Sequence, residues 1–454
     1  MSATARVPQP PGRGFGRSAG TLSTGVGVAG LLTYLFFSLA SHNLDADAYG
    51  EIVVLWSAVF VTISTLHRPV EQFISRSVAE HRARQESLGG TLRTAAALQA
   101  GLAVAFLLVV LALRGPLEDD LFSGNATIYW VFVASVLSFA VSFFARGFLA
   151  GEGRFALLAG LLVCESVART AFALAVAVGI AEGQEAIALG VVAAPIFSLL
   201  VVPAALARRA TAAQQEPGMS ALDPRRLARS GAFTGAVFLI MLAEQAFLNA
   251  GPLLARAFED AAIAGFVFNV LMLARAPLLV FQGVAISLLP HLTRLRSRGD
   301  DSGAHAFEVS ITTTLKAVAA FTALVAVVVA VAGPTLMQVA FGDRFEYDRA
   351  GLLIMTAAMG LYLASTTLTQ AALAQGKAQR AAGAWVACAA AFLAWSLASI
   401  VDDIDLRIEL GLAVASAALC AALWRVYRAP GGEGLEPGSI DETAARTALA
   451  DEAS

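Results

Sequence analysis

Charge is what this sequence has least of. Asp, Glu, Lys and Arg make up 14% of its 454 residues, and hydrophobic residues 57%. Both values lie far from those of an average soluble domain, which excludes an ordinary water-exposed fold. Lysine is almost missing, with Lys316 and Lys377 the only two. Cys164, Cys388 and Cys420 all fall inside apolar stretches, so neither a disulfide framework nor a zinc-ligand spacing is present. The sequence has no Gly-x-x-x-x-Gly-Lys-Ser/Thr loop, hence no built-in ATP-hydrolysing domain, and no His-Glu-x-x-His. Gly12-Arg-Gly14-Phe-Gly16 follows no strand and reads as a tail. No catalytic residues, metal, cofactor or nucleic-acid partner are expected.

What the sequence does have is about twelve apolar stretches, near 21–42, 50–74, 94–114, 126–149, 156–180, 186–207, 230–256, 262–290, 308–333, 350–374, 381–401 and 408–428. Roughly 20 apolar residues cross a hydrocarbon core about 30 Å thick as a helix. The loops between them alternate in charge. Arg82, Arg84 and Arg93, then Arg208, Arg209, Arg225 and Arg226, then Arg294, Arg296 and Arg298 fall on one side. Asp45 and Asp47, Glu118 to Asp120, Glu259 and Asp260, and Asp402, Asp403 and Asp405 fall on the other. Only the loop holding Asp343, Arg344, Glu346, Asp348 and Arg349 is mixed. Because Arg is retained in the cytoplasm, the pattern predicts an all-α polytopic inner-membrane protein with both termini cytoplasmic. The first apolar run is too long for a signal-peptide core and reads as an uncleaved helix.

The longest internal loop divides the chain six plus six. The expected units are a cytoplasmic tail (1–20), a six-helix lobe (21–207), a cytoplasmic linker (208–229), a second six-helix lobe (230–428) and a disordered, Gly- and acid-rich tail (429–454). The halves resemble each other in order. Arg17-Ser18 opens span one and Arg229-Ser230 span seven. Asp47-Ala-Tyr-Gly50 precedes span two, and Asp260-Ala-Ala-Ile-Ala-Gly265 precedes span eight. Arg68 adjoins Pro69, and Arg275 lies two before Pro277. Leu149-Ala-Gly-Glu-Gly-Arg154 links spans four and five, as Leu373-Ala-Gln-Gly-Lys377 links ten and eleven. With six spans per half, both halves have one orientation, which predicts a parallel repeat with a site between the lobes.

Tyr34-Leu-Phe-Phe37, Leu44-Asp-Ala-Asp-Ala-Tyr-Gly50, Leu55-Trp56, Pro69-Val-Glu-Gln-Phe-Ile-Ser-Arg76, Arg146-Gly-Phe-Leu-Ala-Gly-Glu-Gly-Arg154 and the stretch from Phe281-Gln282 to Leu289-Pro-His-Leu292 resemble the oligosaccharide flippases. These belong to the multidrug/oligosaccharidyl-lipid/polysaccharide exporter superfamily. The resemblance implies two six-helix lobes around a central cavity. It further implies outward transfer of undecaprenyl-diphosphate-linked sugars by alternating access, for cell-surface polysaccharide or lipopolysaccharide synthesis. The implied partners are the lipid-linked oligosaccharide, the bilayer, and the glycosyltransferases and polymerase of the pathway. A multidrug or other lipid exporter of the superfamily is the alternative within transport. Asp45-Ala-Asp47 is the one enzyme-like signal, since membrane glycosyltransferases using lipid-phosphate sugars place an acidic pair in a first outer loop. That loop is about seven residues here, whereas theirs is long and structured.

Charges at membrane depth are costly unless paired or facing a cavity, so each marks a candidate site. Arg68 would grip a diphosphate with bidentate donors, the alternative being an i,i+3 pair with Glu71. Arg275 has no acid within a turn and is the leading substrate ligand, joined by Glu71, Asn249 and Gln282. A structural partnership with Glu244 is its alternative. Glu244 could bind a proton reversibly for coupling. Glu165 and Arg169, at i,i+4, read as an internal ion pair or a cavity pair. Lys316 is placed to snorkel to the surface, and His42 and Asn43 to lie at the interface.

Overall fold

The computed structural model describes residues 12–83, 87–199, 224–275, 301–345, 347–398 and 400–430. Among them the fold is all-α, with no strand. The first half runs α1 (Gly12–Asn43), α2 (Ala46–Leu66), α3 (Arg68–Ala83), α4 (Gly89–Ala112), α5 (Ala126–Gly151), α6 (Phe155–Ala177) and α7 (Gly183–Ser198). The second half has α8 (Pro224–Phe258), α9 (Ala261–Arg275), α10 (Asp301–Phe341), α11 (Arg349–Ala374), α12 (Ala378–Leu397) and α13 (Ile404–Arg428). Ten of the described helices are long and apolar enough to cross a membrane, and α7 and α9 are shorter apolar helices. Together they account for the twelve expected spans, with α2 and the start of α3 sharing the second. Residues 208–223 of the linker, the far half of span eight and most of the C-terminal tail lie outside the described residues, and the rest of the linker begins α8.

The acidic loops have a structural reason. Helices entering the bilayer from that end have free N–H groups in their first turn, and a side-chain oxygen satisfies one of them. Asp45 accepts from Ala48 N at 2.8 Å, Asn125 from Ile128 N at 3.1 Å and Asp260 from Ile263 N at 2.9 Å. Asp348 accepts from Ala350 N at 3.0 Å, and Asp403 from Asp405 N at 2.9 Å. Spans two, four, eight, ten and twelve all begin this way. We refer below to the acidic end and the arginine end of the molecule.

Span two bends at His67, which joins α2 to α3. Pro69 has no N–H to offer the carbonyl of Thr65, so the ladder breaks there. The fully buried His67 ring fills the bend, with Nε2 3.0 Å from the carbonyl of Val136 and Nδ1 2.7 Å from Gln99 Nε2.

The two halves pack alike. In the first, α1 lies on α6, α6 on α7 and α5 on α7; in the second, α8 lies on α12, α12 on α13 and α11 on α13. These are the same pairings of spans one with five, five with six, and four with six. The turn joining the fourth and fifth spans is also repeated, at Gly153 (φ 67°) and Gly376 (φ 74°), a left-handed geometry that glycine adopts without strain. The arginine-end cations cap carbonyls here. Arg82 donates to the carbonyl of Glu152, and Lys377 Nζ to those of Val426, Tyr427 and Ala429 at 3.1, 3.1 and 2.7 Å.

Candidate functional site

The halves meet where α2 lies on α8 and α1 on α10, and along one face of α9. Ala261, Gly265, Phe268 with Asn269, and Met272 recur at helical spacing, so one stripe faces the first half. At its acidic end the backbones nearly touch, since a Cβ on Gly50 would sit 1.7 Å from the carbonyl oxygen of Ala261. Only a glycine permits that approach. Deeper, Tyr49 donates its hydroxyl to Asn269 Oδ1, and the Phe37 and Phe268 rings pack with centroids 4.5 Å apart. Tyr34 then donates to the carbonyl of Met272.

Arg275 is the next rung. It lies 14 residues from the start of α9, or about 21 Å at 1.5 Å per residue. Its Nε donates to the carbonyl of Leu271 at 3.3 Å, and its guanidinium carbon stands 5.5 Å from the Phe268 ring centroid. Its Nη2 is buried and has no hydrogen-bond partner among the described residues. The hydroxyls of Tyr34, from the first half, and Tyr362, from the second, are its electrostatic neighbours.

Arg68, the first residue of α3, joins the group from the first half. Its charge acts on Glu244 of α8 and on Tyr362, and it closes to no ion pair or hydrogen bond among the described residues. The i,i+3 pair with Glu71 is therefore not formed, although the two charges interact. Nor does Glu244 pair with Arg275, because the cation acting on Glu244 is Arg68. The seam thus gathers Tyr34, Arg68, Glu244, Arg275 and Tyr362 from both halves. Asn249 is held elsewhere, donating Nδ2 to Gln245 Oε1 at 2.9 Å with both side chains buried. Gln282 lies outside the described residues.

A second ionic group lies inside the first half. Glu165 pairs with Arg146 of α5, not with Arg169, and accepts from Ser142 at 2.5 Å and Ser198 at 3.2 Å. Arg169 instead lies over the Trp56 ring at 4.4 Å and donates to Thr33 Oγ1 at 3.1 Å. A neighbouring helix satisfies Glu165 with more donors than one turn of its own helix offers, and the indole face takes the displaced guanidinium. Glu71 lies within electrostatic reach of both groups, through Arg68 and Arg146.

Sequence reasoning missed Tyr34, Tyr362 and Arg146 as members of these groups. Tyr34 and Arg146 stand inside the motifs that carry the family resemblance, and that was the available signal.

The architecture defines a multi-pass membrane protein with the fold of the MATE transporters. Among solved structures, the chain superposes on a multidrug resistance MATE family transporter of the MOP superfamily in an inward-facing conformation. That match has TM-score 0.65 and 11% identity, covering 88% of this chain and 93% of that one. The MATE transporter VcmN of Vibrio cholerae in its bent form matches at TM-score 0.57 and 18% identity, over 90% and 97%. A Pyrococcus furiosus MOP superfamily transporter, whose reversed binding-pocket polarity suggests a different function, matches at 0.56 and 14%, over 90% and 95%. Among curated proteins, an uncharacterised protein of Mycobacterium tuberculosis strain H37Rv is 28% identical over 394 residues, 84% of each chain. A second from that strain is 28% identical over 379 residues, 80% of this chain and 81% of its own. No family model matches the sequence.

Proposed function

We propose that this chain is a flippase that carries undecaprenyl-diphosphate-linked oligosaccharide across the bacterial inner membrane by alternating access. The observation that carries the reading is Arg275, a guanidinium at membrane depth between the lobes whose Nη2 is buried without a partner among the described residues. A buried donor left open is costly unless a ligand fills it. Arg68 and Arg275 bring two guanidiniums to this group, with Glu244 and Glu71 as its carboxylates, and the open Nη2 of Arg275 is the donor left for a diphosphate. A planar guanidinium also offers two parallel donors to phosphate oxygens. Glu71 lies beside Arg68 on the same path. Glu244 is the group positioned to exchange a proton as the anion enters and leaves. Glu165 and Arg169 then hold the first lobe rigid around it.

In this reading the lobes are 21–207 and 230–428, both termini and the 208–229 linker face the cytoplasm, and the acidic end faces out. The seam's described contacts lie toward the acidic end, so in this reading the substrate enters from the arginine end. Glycosyltransferases and a polymerase of the same pathway would supply and consume it. The glycosyltransferase alternative would use Asp45 and Asp47, and Asp45 Oδ1 also serves as the N-cap of α2.

The test is complementation in a deletion strain. Arg275→Ala should abolish glycan export while the protein remains at near-normal abundance, and Arg275→Lys should restore export only in part. Full export in both Arg68→Ala and Arg275→Ala would remove the mechanism.

A further inference from the structure

Arg344 stands in the mixed loop among Asp343, Glu346 and Asp348, and its contacts explain its place. It belongs to the second half, yet its Nη2 donates to the carbonyls of Ser41 and Leu44, at 2.7 and 2.5 Å, at the end of α1 in the first half. The last carbonyls of a helix have no intrahelical donor and carry the negative end of its dipole, so a guanidinium there answers both. The neighbouring Phe345 ring lies against Tyr49, with centroids 5.4 Å apart, which joins this contact to the Tyr49–Asn269 bond below it.

Arg256, in the last turn of α8, makes the matching contact at a second point. Its Nε donates to the carbonyl of Leu121 at 3.2 Å and its Nη2 to Ser123 Oγ at 3.0 Å. Glu51 of α2 lies within its field and accepts from Gln184 Nε2 at 2.9 Å. The inter-lobe hydrogen bonds of the described seam include these two arginine contacts, Tyr49–Asn269 and Tyr34–Met272. They run from the acidic end inward and stop at Arg275.

We propose that Arg256 and Arg344 form a two-point latch that holds the acidic end shut, and that its release is the step that opens the seam to that side. The two kinds of contact differ in what breaking them entails. The arginine contacts lie at loop level, partly exposed, where water can replace each lost carbonyl. The Tyr49–Asn269 bond and the Phe37–Phe268 packing are fully buried and cannot be hydrated singly. Opening therefore starts at the arginines and proceeds inward, and closing ends with them. Three of the four bonds go to backbone oxygens and one to the Ser123 hydroxyl, so the latch depends chiefly on the closed positions of α1 and the 121–123 turn. Gly50 sets the fit, since any larger residue would hold α2 off Ala261.

The purpose of the latch rests on the exporter reading, but its test does not. In full-length protein lacking Cys164, Cys388 and Cys420 and reconstituted in nanodiscs, Ala261→Cys places a thiol in the seam and Ala173→Cys places one in the first-half core. The modification rate by a water-soluble maleimide reports exposure of each. Arg256→Ala with Arg344→Ala should speed modification at 261 by at least about tenfold, the factor equivalent to 1.4 kcal/mol, and leave 173 slow. The pair Arg256→Lys with Arg344→Lys, which keeps the charges, should fall between. Gly50→Ala should speed modification at 261 with both arginines present. An unchanged rate at 261 in the alanine pair overturns the latch. So does a rise at 173 equal to that at 261, if the lysine pair then labels 261 no faster than the parent. If 261 responds as expected but deleting the chain leaves lipid-linked glycans unchanged, the latch stands and the flippase reading falls.

Discussion

The two lobes have one packing scheme and two kinds of interior. Carrying the Gly153–Gly376 correspondence along the chain sets Thr369 where the first lobe has Arg146, Cys388 where it has Glu165, and Phe392 where it has Arg169. In the first lobe, the fourth and fifth spans are tied by the Arg146–Glu165 ion pair. In the second they are tied by Trp385 Nε1 donating to Thr369 Oγ1 at 2.8 Å. Arg169 lies over Trp56 in one lobe, while in the other Phe392 stacks on Phe247 with centroids 5.9 Å apart. Helix packing thus fixes shape and leaves chemistry free, because either a neutralised ion pair or an aromatic cluster fills the same space without exposing polarity to lipid. The Arg146–Glu165 pair is therefore a feature of the first lobe and not a demand of the fold, and the second lobe buries its charges at other positions, Arg407 and Glu409 among them.

Removing one partner of the ion pair should show this most strongly. Glu165→Ala removes the ion-pair partner of Arg146 and leaves only the more distant charge of Glu71, a loss of up to roughly 3–5 kcal/mol. Thermal unfolding in detergent should register it as a large drop in midpoint, whereas Cys388→Ala at the corresponding position should cost under about 1.5 kcal/mol. Equal effects at 165 and 388 would mean that the ion pair carries no special role. A smaller effect is expected in the second lobe. Trp385→Phe keeps most of the ring packing and removes the donor to Thr369. Inter-helix hydrogen bonds in membranes contribute on average about 0.6 kcal/mol, so the midpoint should shift only slightly. A loss as large as that of Glu165→Ala would show that the second lobe depends on polarity as much as the first.

The sequence announced these elements unevenly. Twelve apolar runs of spanning length were legible because bilayer thickness sets their size. The parallel repeat was legible in short turns such as Leu149–Arg154 and Leu373–Lys377, and the glycines there recur with the same backbone geometry. The acidic loops were read as a charge bias, while the structure uses their aspartates as helix N-caps, a local role visible in the spacing from Asp45 to Ala48. Arg68, Arg275 and Glu244 were legible as charges at depth, but their partners were not. Glu165 meets Arg146 and not Arg169, because the contact crosses helices and sequence spacing reports only one helix at a time. The Gly50–Ala261, Tyr49–Asn269 and Arg344–Ser41 contacts join residues over 200 positions apart and leave no periodic trace in the sequence.

Binding of an isoprenyl diphosphate to the purified protein tests the central claim most directly. The account predicts that the parent protein binds undecaprenyl diphosphate and that an excess of an organic cation does not compete. Arg275→Ala and Arg68→Ala should each weaken binding about tenfold or more, as expected for loss of a charge-assisted contact to phosphate. Undiminished affinity in the double variant, or displacement of the diphosphate by the cation, would contradict it.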